Sequence, residues 1–221
     1  MSWYCDIAPG HPFHGPYHEH EYGFPLHDET ALFERLALEI NQAGLSWLLV
    51  LKRREGLRNA FDGFVVDKVA GYGAAQRRRL LADPAIIRNR LKVDAIIENA
   101  QRVRAIREAS GSFAAWIASH HPLSKEDWVR LFKKTFLFTG GEVTGEFLMS
   151  IGYLPGAHRE TCPVYPRIAA LEPPWMDNRA REARPAVKPR PQPAKPAAKS
   201  KKKKGSLPKK RAPRSKRKGR K

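Results

Sequence analysis

Cysteines are scarce in this sequence and long apolar runs are missing, and each shortage excludes a class of protein. Two cysteines in 221 residues cannot build a disulfide framework, so a reducing, cytoplasmic setting is expected. No stretch reaches the roughly 18 consecutive apolar residues of a membrane-spanning helix. The first five residues also lack the charged-then-apolar pattern of a secretory signal.

Acidic residues are nearly missing from residues 179–221, which contain 20 Lys and Arg but one acid, Glu182. The whole chain has 41 basic and 22 acidic residues, so residues 1–178 hold 21 of each sign. Lys, Arg, Pro and Ala dominate the tail and large apolar side chains are few, so we expect a disordered segment after a folded domain at 1–178. Such an arm binds nucleic acid nonspecifically through counterion release, which suggests a nucleoid-associated protein. A merely solubilising end is the alternative.

Alternating apolar and polar residues, the pattern of a half-buried strand, are not found in residues 1–178. Apolar residues instead recur at helical spacing from Asp28 onward, beginning with Leu32, Leu36 and Ile40. Residues 1–27 are rich in Gly, Pro, His and aromatic residues and are predicted to form an irregular arm. Further helices are predicted at about 46–61, 67–73, 75–82, 92–109, 112–119, 124–134 and 141–151. An all-α domain of seven or eight helices is the simplest account.

The two cysteines each have a histidine nearby: Cys5 precedes His18, and His158 precedes Cys162. The second pair is four residues apart, so one helical turn or a compact loop places both side chains together. Two thiolates and two imidazoles form a closed tetrahedral Zn²⁺ site, which is structural and not catalytic. It would join the arm to the end of the domain. The alternative is that both cysteines are simply buried. Four other histidines compete with His18 on spacing alone: His11, His14, His20 and His27.

Glu39 lies three residues after Leu36, at the edge of the apolar stripe of the first long predicted helix. An ionised carboxylate in that position costs stability unless it has partners. Partly desolvated carboxylates are typical of functional sites, so Glu39 is the candidate catalytic residue. The alternative is a rim residue paired with Arg35 or Lys52.

Aromatic residues in two segments could form a slot beside Glu39. Tyr17 and Tyr22 belong to the N-terminal arm, and Trp47 follows a Gly-Leu-Ser turn. Aromatic faces with one carboxylate suit a flat cationic base, because cation–π attraction and a charge-assisted hydrogen bond then add. A core position for Trp47 is the alternative.

Residues 76–100 are predicted to form a short helix, a tight turn and a longer amphipathic helix. Four basic or polar residues near the start of the second helix are candidates for DNA contact: Arg88, Asn89, Arg90 and Lys92. Backbone N–H groups at a helix N-terminus, with cationic side chains beside them, suit a phosphate. A helix pair with an ordinary basic surface is the alternative.

Four segments in order resemble the 3-methyladenine DNA glycosylase I family of helix-hairpin-helix glycosylases, over about residues 3–165. Residues 17–25 are similar to the family pattern Y-H-D-x-E-W-G-x-P. Residues 38–55 and 86–93 are similar to two further family segments, and His158 with Cys162 forms the fourth.

The resemblance implies a fold, a reaction and roles for particular residues. Cys5, His18, His158 and Cys162 fall on structural zinc ligands, Glu39 on the carboxylate that recognises the flipped base, and Tyr17 and Trp47 on pocket residues. The implied reaction is hydrolysis of the N-glycosidic bond of a methylated adenine in double-stranded DNA, which leaves an abasic site. No lysine in these motifs is placed as a nucleophile, so we expect a monofunctional enzyme that excises the base without cleaving the strand. The resemblance also implies a monomer.

The sequence departs from the family pattern near the expected pocket. The departures are Ile7 and Tyr22 in place of Trp, His14 and Gly145 in place of Tyr, and Gly141-Glu142-Val143 in place of x-Thr-Thr. Fewer aromatics should open the pocket, and Glu142 should add negative charge near it. A DNA-binding protein that keeps the scaffold without excision is therefore the main alternative, and a zinc-stabilised RNA-binding protein is a further one.

Overall fold

The computed structural model describes residues 3–177, and all regular secondary structure in this range is helical, which confirms the all-α class. The predicted disordered tail lies outside the described residues. Short 3₁₀ turns occur at Asp62–Phe64 and Pro174–Met176. The α-helices in chain order are α1 (Tyr4–Ile7), α2 (His14–His20), α3 (Glu29–Gln42), α4 (Trp47–Ala60), α5 (Val66–Ala70), α6 (Ala74–Ala82), α7 (Arg90–Ser110), α8 (Phe113–Ser119), α9 (Lys125–Thr135), α10 (Gly141–Ser150) and α11 (Tyr165–Ala169).

The helices expected from Asp28 onward are present as α3 to α10, and three short ones were missed. The prediction of an irregular arm at 1–27 is wrong in part, because α1 and α2 lie within it. The missed helices α1, α2 and α11 have four to seven residues and lie in segments where Gly, Pro and His interrupt any apolar period. Pro16 also falls in the first turn of α2, where a helix tolerates proline.

Polar side chains cap the N-termini of three of the longer helices. The Asp28 carboxylate accepts a hydrogen bond from Ala31 N at 2.8 Å and caps α3. Ser46 caps α4, and Asn89 caps α7 by accepting from Lys92 N at 3.2 Å. The Ser46 and Asn89 caps fix where the α3–α4 turn and the α6–α7 connection end.

Helix α3 lies at the centre of the domain and packs against α4, α7 and α10. Leu32, Phe33, Leu36 and Ile40 are fully buried by these helices. Because neighbours surround α3, its polar residues are buried as well, and Glu39 is only 3% exposed. A helix in this position can hold a carboxylate away from water, at a cost in stability.

An aromatic cluster holds α8, α9 and α10 together and so sets the position of α10 against α3. Phe113 stacks on Phe147 with ring centroids 6.2 Å apart, and Phe132 lies 5.6 Å from Phe147. Trp128 and Phe136 complete this buried group. Across residues 3–177 no helix combines the length and the apolar character that crossing a membrane requires.

Candidate functional site

Four predicted metal ligands converge at the junction of α1, α2 and the segment after α10. The ligand atoms of Cys5, His18, His158 and Cys162 all lie within 4.8 Å of one another, and all four residues are buried. The measured separations are 3.7 Å from Cys5 Sγ to His158 Nδ1, 3.4 Å from His158 Nδ1 to Cys162 Sγ, and 3.6 Å from Cys162 Sγ to His18 Nε2. Two ligands of one tetrahedral Zn²⁺ at ordinary bond lengths would be about 3.6 Å apart. The cluster therefore has the dimensions of a metal site.

The surroundings of the cluster also fit a bound cation. His158 donates from Nε2 to the carbonyl of Tyr22 at 2.8 Å, which leaves the Nδ1 lone pair directed at the cluster. Burial lowers the pKa of His18 and of His158, which favours the neutral imidazole that a metal ligand requires. His14, a competing candidate on spacing, instead lies within 3.0 Å of the Tyr4 hydroxyl.

A cavity of about 250 Å³ lies beside the cluster and brings the predicted base-binding residues together. Its lining comes from α1 to α4, α10 and the segment after α2: Tyr4, Tyr17, Tyr22, Glu39, Gln42, Trp47 and Glu146. This volume lies just below the range of drug-sized ligand sites, so it matches a ligand the size of one nucleobase.

Aromatic rings form most of the cavity wall. The Tyr17 ring centroid lies 5.0 Å from Trp47 and 5.6 Å from Tyr22. Tyr4 meets Tyr22 edge-on at 5.5 Å. Sequence reasoning identified three of these rings but missed Tyr4, although its position next to Cys5 was a signal that it would lie near the metal cluster.

Glu39 enters the cavity from α3 without the partners that a buried carboxylate usually has. Among the described residues no hydrogen bond to its carboxylate is present, so the proposed rim pairing with Arg35 or Lys52 does not occur. Arg35 donates to the Tyr17 hydroxyl at 3.0 Å and to Glu21 at 2.8 Å, and Lys52 is exposed. Burial, and then the nearby Glu146 carboxylate, raise the pKa of Glu39 to about 8, with Arg35 acting in the opposite direction.

A second carboxylate, Glu146, reaches the same cavity from α10. The Tyr22 hydroxyl donates to its Oε2 at 3.1 Å, and burial raises the pKa of this carboxyl also. The sequence carried no signal for Glu146, because only the packing of α10 on α3 brings it near Glu39. Gln42 was missed too, although it lies one turn after Glu39 on α3.

A network of ion pairs fixes the Tyr17 side of the cavity. The Arg35 guanidinium lies 4.7 Å from the Tyr17 ring centroid and is held by Glu21, which also accepts from Arg54 at 2.6 Å. Arg54 in turn pairs with the buried Glu34 at 2.7 Å. The network locks the Tyr17 rotamer and leaves the hydroxyl unable to swing out of the cavity wall.

A larger cleft of about 840 Å³ opens from the cavity toward solvent and shares Glu39, Gln42 and Glu146 with it. Its other wall is formed by the α3–α4 turn and by residues 136–143. Glu142 is exposed and lines this cleft, not the inner cavity.

The expected opening of the pocket does not occur at Gly145. A Cβ built at Gly145 would lie 2.9 Å from Lys125 Cε, so the lysine side chain fills the space of a larger residue. Ile7, which also stands where the family has an aromatic residue, is 52% exposed and lies outside the cavity.

The predicted DNA-contact residues lie at the start of α7, after the connection from α6. Arg88 and Arg90 are exposed, and Asn89 is the α7 cap. The prediction for Lys92 is corrected: it is buried, and its ammonium donates to Asn41 O at 2.7 Å and Ala43 O at 2.6 Å. Lys92 therefore holds the end of α3 and cannot reach a phosphate. It also ties the start of α7 to the cleft wall.

Comparisons with known proteins show which family the chain is similar to. A family model described as methyladenine glycosylase matches residues 8–135. A DNA-3-methyladenine glycosylase of Haemophilus influenzae is 34% identical over 182 residues, covering 74% of this chain and 98% of that protein. DNA-3-methyladenine glycosylase 1 of Escherichia coli K12 is 34% identical over 181 residues, covering 73% and 96%.

A solved structure shows the same similarity at the level of the fold. It is that of the 3-methyladenine DNA glycosylase I of Staphylococcus aureus, described for its recognition of 3-methyladenine. It has a TM-score of 0.65 and 34% identity, and the match covers 72% of this chain and 95% of that chain. These matches confirm the resemblance that the motifs indicated, and this chain belongs to the methyladenine glycosylase family.

Proposed function

We propose that this protein is a monofunctional DNA glycosylase that excises 3-methyladenine from double-stranded DNA. The observation that carries the proposal is Glu39, a buried carboxylate without a hydrogen-bond partner among residues 3–177, at the wall of a base-sized aromatic cavity. Such a group is stabilised by a ligand that brings positive charge and N–H donors. The named relatives, which are 3-methyladenine DNA glycosylases, support the same substrate.

The cavity can perform the reaction mainly by binding. A methylated base pairs and stacks less well, so it is rotated out of the duplex at lower cost than a normal base. Its positive charge is attracted to the faces of Tyr17 and Trp47, and its N–H groups donate to ionised Glu39.

The chemical step then needs little further assistance. The C1′–N9 bond breaks, its electron pair neutralises the ring, and the base leaves uncharged. Water supplies the hydroxyl to C1′ and releases one proton to solvent. Glu39 stabilises the extruded cation and keeps it oriented while this bond breaks.

Zn²⁺ is the metal that the cluster fits best. Cys5, His18, His158 and Cys162 would supply all four ligands, which leaves no open position for substrate or water. The ion would supply no catalytic chemistry. These residues tie α1 and α2, which carry Tyr4 and Tyr17, to the segment after α10.

DNA contact is assigned to two regions. Arg88 and Arg90 beside the N-terminus of α7 would bind phosphate in the manner of a helix-hairpin-helix element. The basic tail at 179–221 would add nonspecific affinity to a neutral domain at 1–178 and favour the nucleoid. Removal of the tail should weaken DNA binding in a salt-dependent way and leave the turnover rate at saturating DNA unchanged. We expect the enzyme to act as a monomer.

The proposal is tested by release of free base from N-methylated DNA, measured by chromatography. We expect 3-methyladenine from the wild type, and at least about a hundredfold less from Glu39→Gln and Trp47→Ala. Binding of DNA by the wild type without release of any base would reject excision and support a binding role.

A further inference from the structure

We propose that Glu146 is a second base-recognising carboxylate, which together with Glu39 makes the cavity select a cationic N-alkylated purine over a neutral purine of the same shape. This inference rests on the proposed function, since it concerns the same cavity. It identifies the positive charge of the damaged base, and not only its methyl group, as the property that is recognised.

The packing of two helices brings the two carboxylates to one cavity. Glu39 comes from α3 and Glu146 from α10, the two helices pack together, and both side chains line the 250 Å³ cavity. Tyr22 fixes Glu146 through the 3.1 Å hydrogen bond to Oε2. Tyr22 is itself held, because its carbonyl accepts from His158 and its ring contacts Tyr4. A ligand in the cavity would therefore meet both carboxylates.

The charges around the pair do not balance it. The charged and titratable groups that act on the two carboxylates are Tyr4, Tyr17, Tyr22, Arg35, Glu142 and Lys125. Arg35 is already engaged by Tyr17 and Glu21, and Lys125 lies against Gly145. Burial and repulsion by Glu146 raise the pKa of Glu39 to about 8. Burial, and then the Glu142 carboxylate, raise the pKa of Glu146. Near neutral pH the empty cavity thus retains a proton that a cationic ligand can displace.

This arrangement discriminates by charge. An alkylated purine cation spreads its charge over the ring and so neutralises both carboxylates at once. A neutral purine does not neutralise either carboxylate. With it bound, one carboxyl group must stay protonated, or the two carboxylates must continue to repel each other. Removal of the Glu146 charge should reduce the preference for the cation without weakening binding of the neutral ring.

The test uses two small ligands that differ in charge and in one methyl group. 3,9-Dimethyladeninium is a permanent cation whose N9-methyl group stands for the sugar, and 9-methyladenine is its neutral counterpart. Affinities are measured by intrinsic tryptophan fluorescence and calorimetry for wild type, Glu146→Gln and the comparison variant Glu142→Gln. Glu142 lies on the same helix but is exposed and outside the cavity.

We expect wild type to prefer the cation and Glu146→Gln to lose about tenfold of that preference. Glu142→Gln should lose only a small part of it, because its exposed carboxylate acts on Glu146 from outside the cavity. Tyr22→Phe removes the hydrogen bond to Glu146 but keeps its charge, so it should lose a smaller part of the preference for the cation. This variant serves as the test if Glu146→Gln does not fold. An unchanged preference in Glu146→Gln and Tyr22→Phe, or no binding of the cation by the wild type, overturns the inference.

Base release from methylated DNA separates this inference from the proposed function. Release by a wild type whose cation preference does not depend on Glu146 would remove only the inference. A Glu146-dependent preference without release would leave recognition in place and reject excision.

Discussion

Glu39 is the residue on which stability and function conflict most directly. It is 3% exposed and has no hydrogen-bond partner among the described residues, so the empty cavity holds a carboxylate at a cost to the fold. A cationic ligand offsets that cost by pairing with the carboxylate, so the damaged base binds more tightly than it would to a group already paired. Tyr17, in contrast, has a polar partner. Arg35 donates to its hydroxyl at 3.0 Å, and the guanidinium carbon lies 4.7 Å from its ring centroid.

Replacement of Glu39 by Gln should therefore raise thermal stability, and more so at alkaline pH. The pKa of Glu39 is raised in the folded protein to about 8 from an ordinary value of 4.5. Its favourable contribution is fully present below pH 4.5 and is lost as pH rises through about 8. The gain in free energy of unfolding from Gln should thus grow with pH and reach roughly 2–4 kcal/mol near pH 9.

Differential scanning calorimetry at pH 5, 7 and 9 would measure this gain. Glu142→Gln, an exposed change on α10, should show no comparable trend. A gain for Glu39→Gln that shrinks as the pH rises would contradict the account of this carboxylate.

At the scale of elements, the end of α3 and the start of α7 are joined by one buried lysine. Lys92 donates to the carbonyls of Asn41 and Ala43, which the helix leaves without intrahelical partners. The α3–α4 turn that follows lines the cleft, so this contact sets the position of the cleft wall relative to the predicted DNA-contact residues.

Lys92→Met should lower the free energy of unfolding by about 2 kcal/mol, because two buried carbonyls lose a charged donor. Arg88→Met, an exposed change in the preceding turn, should leave stability unchanged and weaken DNA binding. Urea denaturation and DNA titration of both variants separate the two roles. Equal stability of the two variants would show that Lys92 does not hold the helix end.

The elements also show what the sequence could predict and what it could not. Apolar periods located α3 to α10, and motif similarity brought Tyr17, Glu39 and Trp47 to one site. The pattern could not show that Lys92 points inward, because burial depends on which helix lies opposite. Glu146 was equally hidden, since its approach to Glu39 depends on the packing of α10 against α3, between residues more than 100 positions apart.

At the scale of the whole molecule, the Cys/His cluster joins the two ends of the described domain. Cys5 and His158 are 153 positions apart and their ligand atoms lie 3.7 Å apart. The segments that the cluster fixes also carry Tyr4 and Tyr17, so the aromatic cavity depends on the junction.

Cys162→Ser should therefore lose bound zinc, lower the melting temperature and weaken base binding together. Loss of a structural metal site removes several kcal/mol from a domain of this size. Metal analysis of the purified protein with calorimetry measures both effects. Ser150→Ala, which removes a buried hydroxyl that donates to Phe147 O and not to a cluster ligand, serves as the control. Wild-type protein that contains no zinc, or a variant of unchanged stability, would reject a structural metal.

The central claim is that ionised Glu39 recognises the cationic base, and the pH dependence of kcat/KM for 3-methyladenine release tests it most directly. The DNA-bound substrate keeps its charge over this range, so the profile reports the free enzyme. We predict that kcat/KM rises with pH through a midpoint near pH 8, where Glu39 ionises, and levels off above it, and that Glu39→Gln gives a low, flat profile. A flat wild-type profile, or a Glu39→Gln variant with wild-type activity, would contradict the claim.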